Sequence, residues 1–490
     1  MSVLRALFIL LSFYIIQSKT THVKPCDTSS FPPNFKFGVG SSAYQIEGAW
    51  NADGKGRSWW DWLYNSNIVA SNGGNVADDS YHRYLDDVAA LQSIGPDYYK
   101  FSISWPRILP TGLINEVNQA GVDYYNKLLD ALKAAGIEPV VTMFHWDIPN
   151  TLIYLGGWTN PHIVQYFADY ADLLFRLFGN RVKLWATINE PRSFCQTVPD
   201  VVRKILFPEI LTGTYEYLCG HYALLAHASA YRLYQKKYRR SQNGRIGIIL
   251  DIIANVPLTN SSEDLKASKR AYTFDFDWFA SPLIKGDYPQ LMKDIVGRNS
   301  ALQNFSTSRL PSFTKSEKKL IKGSYDIFLV NHYTSQLVTL SNFSISPSWE
   351  NDKQITQSVS SSWLLTNSNM SVNPPSIRTV LSYIKNSYGI RKILITENGY
   401  SNAGGNLNDT DRISFLKDVL YQLRLAMCED SINVVGYTYW SFLDSFEWLS
   451  LYSAKFGLVQ VDYDTLERTP KLSAEYYSKL IKSHLINSTV

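Results

Sequence analysis

Two glutamates stand where apolar runs stop: Glu190 in "LWATINEPRSF" (184–194) and Glu397 in "KILITENGY" (392–400), each beside an asparagine. A strand interior buries apolar side chains, whereas a strand end can turn a carboxylate toward a cavity. One such glutamate reads as a solvated rim residue. Two at one mouth read as a pair working on opposite sides of a single bond. One would deliver a proton and the other would act as base or nucleophile, the division of labour on which glycoside hydrolysis rests. Proton delivery at neutral pH requires one carboxyl to stay protonated, and burial next to a second negative charge achieves that. Further run ends carry His145-Trp146, Asn331-His332-Tyr333 and Trp440, groups able to hydrogen-bond and to stack on a flat polar ring.

The elements that must position these groups recur in a fixed order. Extended runs are expected at 35–40, 98–105, 138–146, 182–190, 245–252, 326–333, 392–399 and 434–444. Between them lie helical patterns, for example 118–136 and 162–179, apolar at i, i+3 and i+4 and closed by Gly136 and Gly179. Strands alternating with helices imply parallel pairing, and eight such units predict an α/β fold, a single (β/α)8 TIM barrel with long βα-loop insertions. The Ser/Asn-rich stretch 341–376 reads as a loop insertion between the sixth and seventh strands. No compositional break marks a linker, so one catalytic domain is expected over 27–485.

Composition narrows the function. The chain has 490 residues, 45% of them apolar, and a net charge of +4 without a basic-aromatic stripe, which argues against nucleic acid. Residues 1–18 read as a secretory signal peptide: Arg5, then an apolar stretch too short for a comfortable membrane span, then Ser18. The expected product is secreted and extracellular, with no membrane partner. Six sequons, at Asn260, Asn304, Asn342, Asn369, Asn408 and Asn487, agree with that route. Four cysteines allow one or two bridges whose pairing the sequence does not reveal, and no Cys/His spacing suggests a metal. No cofactor is expected. The partner expected is a small glycoside; oligomeric state is not legible, a homodimer being one option.

The motifs "QIEGAWN", "FHWD", "TINEP", "ITENGY", "DSFEW" and "KFGLVQVD" occur in the order of glycoside hydrolase family one, the β-glucosidase family, and the chain resembles it from 31 to 477. The helix pattern at 216–234 looks closest to insect members, among them β-glucosidases and thioglucosidases. The resemblance implies a retaining mechanism, with Glu397 as nucleophile and Glu190 as acid and base, roughly 5–5.5 Å apart. It also implies a substrate pocket of Gln45, His145, Trp146, Asn189, Trp440, Glu447 and Trp448, with Tyr333 and Asn331 beside the carboxylates.

Two departures stand out. Where the family has arginine in "Y-R-F-S-I-S-W", this chain has Lys100, which keeps the charge but loses the planar fork. After Glu190 the segment 192–211 carries Arg192, Arg203 and Lys204. These read either as a solvated face or as an anion site for a charged aglycone. The first reading goes with a β-glucosidase and the second with a thioglucosidase (myrosinase) acting on glucosinolates. A non-catalytic sugar- or protein-binding barrel is the third reading; it would be expected to have lost a carboxylate.

Overall fold

The eight apolar runs fold as eight strands, each lying beside the next in chain order. They are β1 (Lys36–Gly40), β2 (Tyr98–Ser102), β3 (Glu138–Phe144), β4 (Leu184–Asn189), β5 (Arg245–Asp251), β6 (Phe328–Asn331), β7 (Lys392–Asn398) and β8 (Asn433–Trp440). This computed structural model describes residues 26–66, 69, 71–197, 207, 209–390 and 392–488. All neighbours pair in parallel, and β8 returns to β1, with Lys36 opposite Gly436 and Gly40 opposite Trp440, so the sheet closes into a TIM barrel. Residues 1–18 lie outside the described residues.

Parallel strands covered on both faces must be apolar almost throughout, which is why the runs show no alternation. Inside the barrel Tyr98, Val140, Leu184, Ile249, Leu329 and Leu394 pack together. Outside, helices lay one stripe on the sheet; Ile163–Phe178 buries Phe167, Tyr170, Ala171, Leu174 and Phe178. The glycines that close the helices Gln119–Ala134 and Ile163–Phe178 differ in cause. Gly136 takes a left-handed φ of 73°, open to glycine at little cost, whereas Gly179 stays helical at φ −64°. At Gly179 the reason is space, because the Gln242 amide occupies the place of a Cβ.

Except for β1, which ends with its run at Gly40, the strands end earlier than the runs. The run 98–105 stops pairing at Ser102, and Trp105 opens a short helix. The stretch 341–376 is not a bare loop. It forms a helix, Trp349–Lys353, a strand, Ile355–Ser358, and a small hairpin pairing Leu364–Leu365 with Ser371–Val372. Ile355–Ser358 pairs antiparallel with Ser335–Leu340, which pairs parallel with Ala254–Pro257. These pieces are short and half exposed, so polar residues fill them and the apolar signal of a strand is missing.

Disulfides join Cys26 to Cys428 and Cys195 to Cys219. The second ties the segment after Glu190 to the helix Tyr215–Lys237 across a separation of 24 residues. A bridge of that span stabilises by about 3–4 kcal/mol in the chain-entropy account.

Gly399, directly after β7, lies so close to the Trp440 carbonyl that a Cβ would fall on its oxygen. Gly399→Ala should therefore cost about 1–3 kcal/mol and lower kcat by displacing the end of β7. Urea unfolding and steady-state kinetics measure the two effects; an unchanged midpoint and rate would show that the approach is relaxed in solution.

Candidate active site

At the carboxyl ends of the strands a cavity of about 270 Å3 is lined by His145, Trp146, Asn189, Glu190, Tyr333 and Glu397, with Trp440, Glu447 and Trp448 completing the wall. That is small for a ligand site, enough for one compact molecule. Lys100, Asn331 and Gln45 are fully buried and lie behind these groups rather than on the surface of the cavity.

Glu190 follows β4 directly. Pro191 takes the first position of the helix Pro191–Thr197, where its missing N–H costs nothing. The strand-to-helix corner puts Glu190 at φ 47°, and its N–H donates to the Ile249 carbonyl at 3.0 Å. Trp146 (φ 72°) and Trp448 (φ 51°) also occupy the left-handed region. Three bulky residues held there cost about 1–3 kcal/mol each, a strain that packing must over-determine.

The carboxylates have unlike surroundings. Glu397 Oε1 accepts from the Lys100 ammonium, and its Oε2 accepts from the Tyr333 hydroxyl at 2.8 Å. Lys100 is wholly buried, within 3.5 Å of Asn189 Oδ1 and 5.3 Å above the centre of the Trp440 ring. Glu190 Oε1 accepts one bond, from Asn331 Nδ2 at 2.7 Å, and Thr396 Oγ1 orients that amide by donating to its oxygen at 2.7 Å. Burial first, then the charges of Asp251 and Glu397, push the Glu190 carboxyl up to about 8, against the opposing pull of Asn331 and Arg192. At neutral pH Glu190 therefore holds a proton beside a carboxylate clamped by a cation.

The rest of the wall suits a polyhydroxylated ring. Trp146 Nε1 donates to the Asn189 carbonyl at 3.0 Å, and Asn189 Nδ2 lies 3.4 Å from His145 Nε2. The His145 ring stacks on Trp440 at 5.6 Å and on Trp448 at 6.0 Å. Burial and the Lys100 charge hold His145 well below its ordinary range, so it is neutral. Burial likewise pushes Glu447 up to about 8, opposed by hydrogen bonds from Ser445, Trp440 and Gln45. Gln45 itself donates to the Phe446 carbonyl at 2.8 Å.

Arg192 is not a free cation at the entrance. Its guanidinium is bound by Asp251, with Gln196 Oε1 at 3.3 Å, so its charge is already used; Arg203 and Lys204 lie outside the described residues. Several groups escaped the sequence reading. Ser368 and Met370 reach the cavity from the 341–376 insertion, and Phe456 from the segment after β8. Asp251, last residue of β5, bears on Glu190 and also accepts from Ser193 Oγ at 3.1 Å; the strand-end rule that singled out Glu190 applies equally to it.

The family model described as glycosyl hydrolase family 1 matches residues 27–486. Myrosinase 1 of Brevicoryne brassicae is 42% identical over 462 residues, covering 92% of this chain and 98% of the relative. Among solved structures, an aphid myrosinase superposes with TM-score 0.87 at 41% identity, covering 93% of this chain and 100% of that one. A rice β-glucosidase mutant, solved in a covalent complex with Glc, gives TM-score 0.86 at 36% identity over 92% of this chain and 99% of that one.

The charge of Asp251 raises the Glu190 pKa and Arg192 lowers it. Asp251→Asn removes the first influence and frees the second, and both changes push the pKa down. The alkaline limb of kcat/KM for an alkyl glucoside should move to lower pH, by at least half a unit on the order of one charge-pair interaction. The limb for a dinitrophenyl glucoside, whose leaving group needs no proton, should stay put. Profiles that move together, or an alkyl limb that moves upward, would contradict this electrostatic role.

Proposed function

Because the chain belongs to glycosyl hydrolase family 1 and is a glycoside hydrolase, we propose that it is a secreted, retaining exo-β-glycosidase that releases β-D-glucose by double displacement. The observation that carries this reading is the unlike state of two buried carboxyls in one cavity, Glu190 protonated and Glu397 held by Lys100 and Tyr333. A Glu397 oxygen attacks the anomeric carbon while the Glu190 proton passes to the glycosidic oxygen, and the aglycone departs as an alcohol. The C–O bond formed to Glu397 replaces the one broken to the aglycone, so the sugar stays on the enzyme.

Forming that ester removes the negative charge of Glu397. Since that charge is one of the influences raising Glu190, the Glu190 pKa falls just when it has lost its proton. Glu190 is then suited to take a proton from water as water attacks the anomeric carbon and returns Glu397 to a carboxylate. Acid and base are one residue, switched by the covalent state of its neighbour.

The small cavity supports exo action on a single ring, which Glu447, Asn189 and His145 would hold by its hydroxyls while Trp440 and Trp448 stack on its faces. The two disulfides fit an oxidising compartment. A thioglucosidase is the second reading, favoured by the 42% identity to the aphid Myrosinase 1. A raised Glu190 favours O-glycosides, because a thiolate leaves with less need of an acid.

Rates on alkyl glucosides, a dinitrophenyl glucoside and a glucosinolate test both readings. Glu190→Gln should lose about 10²–10⁴-fold on alkyl leaving groups and far less on dinitrophenolate, and Glu397→Gln should lose at least ~10³-fold on every substrate. Equal losses across the series would remove Glu190 as the acid. A wild-type enzyme fastest on the glucosinolate would reverse the order of the two readings.

A further inference from the structure

The opposite mouth of the barrel holds a second cavity, of about 310 Å3, lined at its floor by Tyr98, Val140, Leu184, Ile327 and Leu394. Side chains alternate along a strand, so residues two or four positions before an inward-facing one share its direction. Val140, Ile249 and Leu394 belong to the barrel interior; Glu138, Arg245 and Lys392 therefore also point inward. Lys36 stands two residues before Gly38, whose Cβ would meet the Tyr98 ring. The lowest inward layer is thus charged, and Arg181 and Lys183 add to its rim.

Charge is not balanced there. Lys36 pairs with Asp97 at 2.9 Å, Arg181 pairs with Asp130 at 2.9 Å, and Lys183 donates to the Gln242 carbonyl at 2.7 Å. Arg245 and Lys392, both exposed, form no ion pair among the described residues, and Glu138 is the one carboxylate in the lining. A guanidinium fork and an ammonium on the lining of one cavity with an apolar floor match a molecule with an oxyanion head and an apolar body. The filled interior of the barrel separates this cavity from the carboxylates at the other end.

We propose that the amino-terminal mouth of the barrel is a second ligand site, taking a small organic anion. Its carboxylate, sulfate or sulfonate lies between Arg245 and Lys392, and its aromatic or aliphatic body rests on Tyr98, Val140 and Leu394.

Isothermal titration of the full chain with naphthalene-2-sulfonate tests this, with naphthalene-2-methanol and inorganic sulfate as controls. Saturable binding of the sulfonate is expected, weakened by salt, with each control binding at least about tenfold more weakly for want of head or body. The double variant Arg245→Ala/Lys392→Ala should lose about tenfold or more in affinity while hydrolysing a neutral aryl glucoside at the wild-type rate. The charge-conserving Arg245→Lys/Lys392→Arg should keep most of the binding. Absence of saturable binding, equal affinity in wild type and the alanine variant, or equal affinity for a control would each overturn the proposal.

Discussion

Two carboxyl groups enclosed in one small cavity cannot both be charged without a cation, and this constraint organises everything around Glu190 and Glu397. Removing an unpaired carboxylate from water costs several kcal/mol even after relaxation. One solution is to neutralise by pairing, and Lys100 does so for Glu397 from β2, 297 residues away in the chain. The other is to neutralise by protonation, the solution adopted at Glu190, where one amide donor faces the carboxyl and Asp251 and Glu397 discourage its charge. Because the groups differ in surroundings rather than in kind, the asymmetry that a proton donor and a nucleophile require comes from the neighbours.

That asymmetry depends on a rigid frame. Asn331 touches Glu190 while its oxygen accepts from Thr396, the residue before Glu397, so one amide on β6 fixes the relation between the ends of β4 and β7. Left-handed φ angles at Trp146, Glu190 and Trp448 place the strain at the cavity, and the barrel wall, buried on both faces, holds it there. The Cys195–Cys219 bridge pins the helix that begins at Pro191, so the corner carrying Glu190 is anchored on both sides.

The barrel is legible in the sequence because parallel strands covered on both faces leave a blunt signal: eight apolar runs, most of them ending in polar or aromatic residues. Residues at those ends, such as Asn189, Glu190, Tyr333 and Glu397, stand out because a barrel delivers all its strand ends to one place. What is illegible shares one cause, dependence on contacts far apart in the chain. Arg192 reads as a free cation until Asp251, 59 residues on, is seen to hold it. Ser368 and Met370 come from an insertion whose short polar strands look like loop, and the pairing of Cys26 with Cys428 spans 402 residues. The overrun of the expected strands past Ser102 and Asn331 has a local origin: apolar and aromatic residues there continue a hydrophobic run after the ladder has stopped.

The two mouths of the barrel differ electrically for a reason built into the βα unit. Each helix runs back against its strand, so helix N-termini gather around the mouth with the carboxylates and helix C-termini around the other. The partial charges at helix ends favour anions at the first and cations at the second. Acids at the carboxyl mouth are buried, and a buried charge must find a partner, hence Lys100 for Glu397 and Arg192 for Asp251. At the amino mouth Lys36 and Arg181 pair with Asp97 and Asp130, whereas the exposed Arg245 and Lys392 need no such partner: helix C-termini such as that of Gln119–Ala134, just before β3, and water carry part of their cost. Among the described residues the donors of Arg245 and Lys392 are therefore not committed to a carboxylate. The same dipole arrangement that favours carboxylates at one end can leave a basic, apolar-floored cavity at the other.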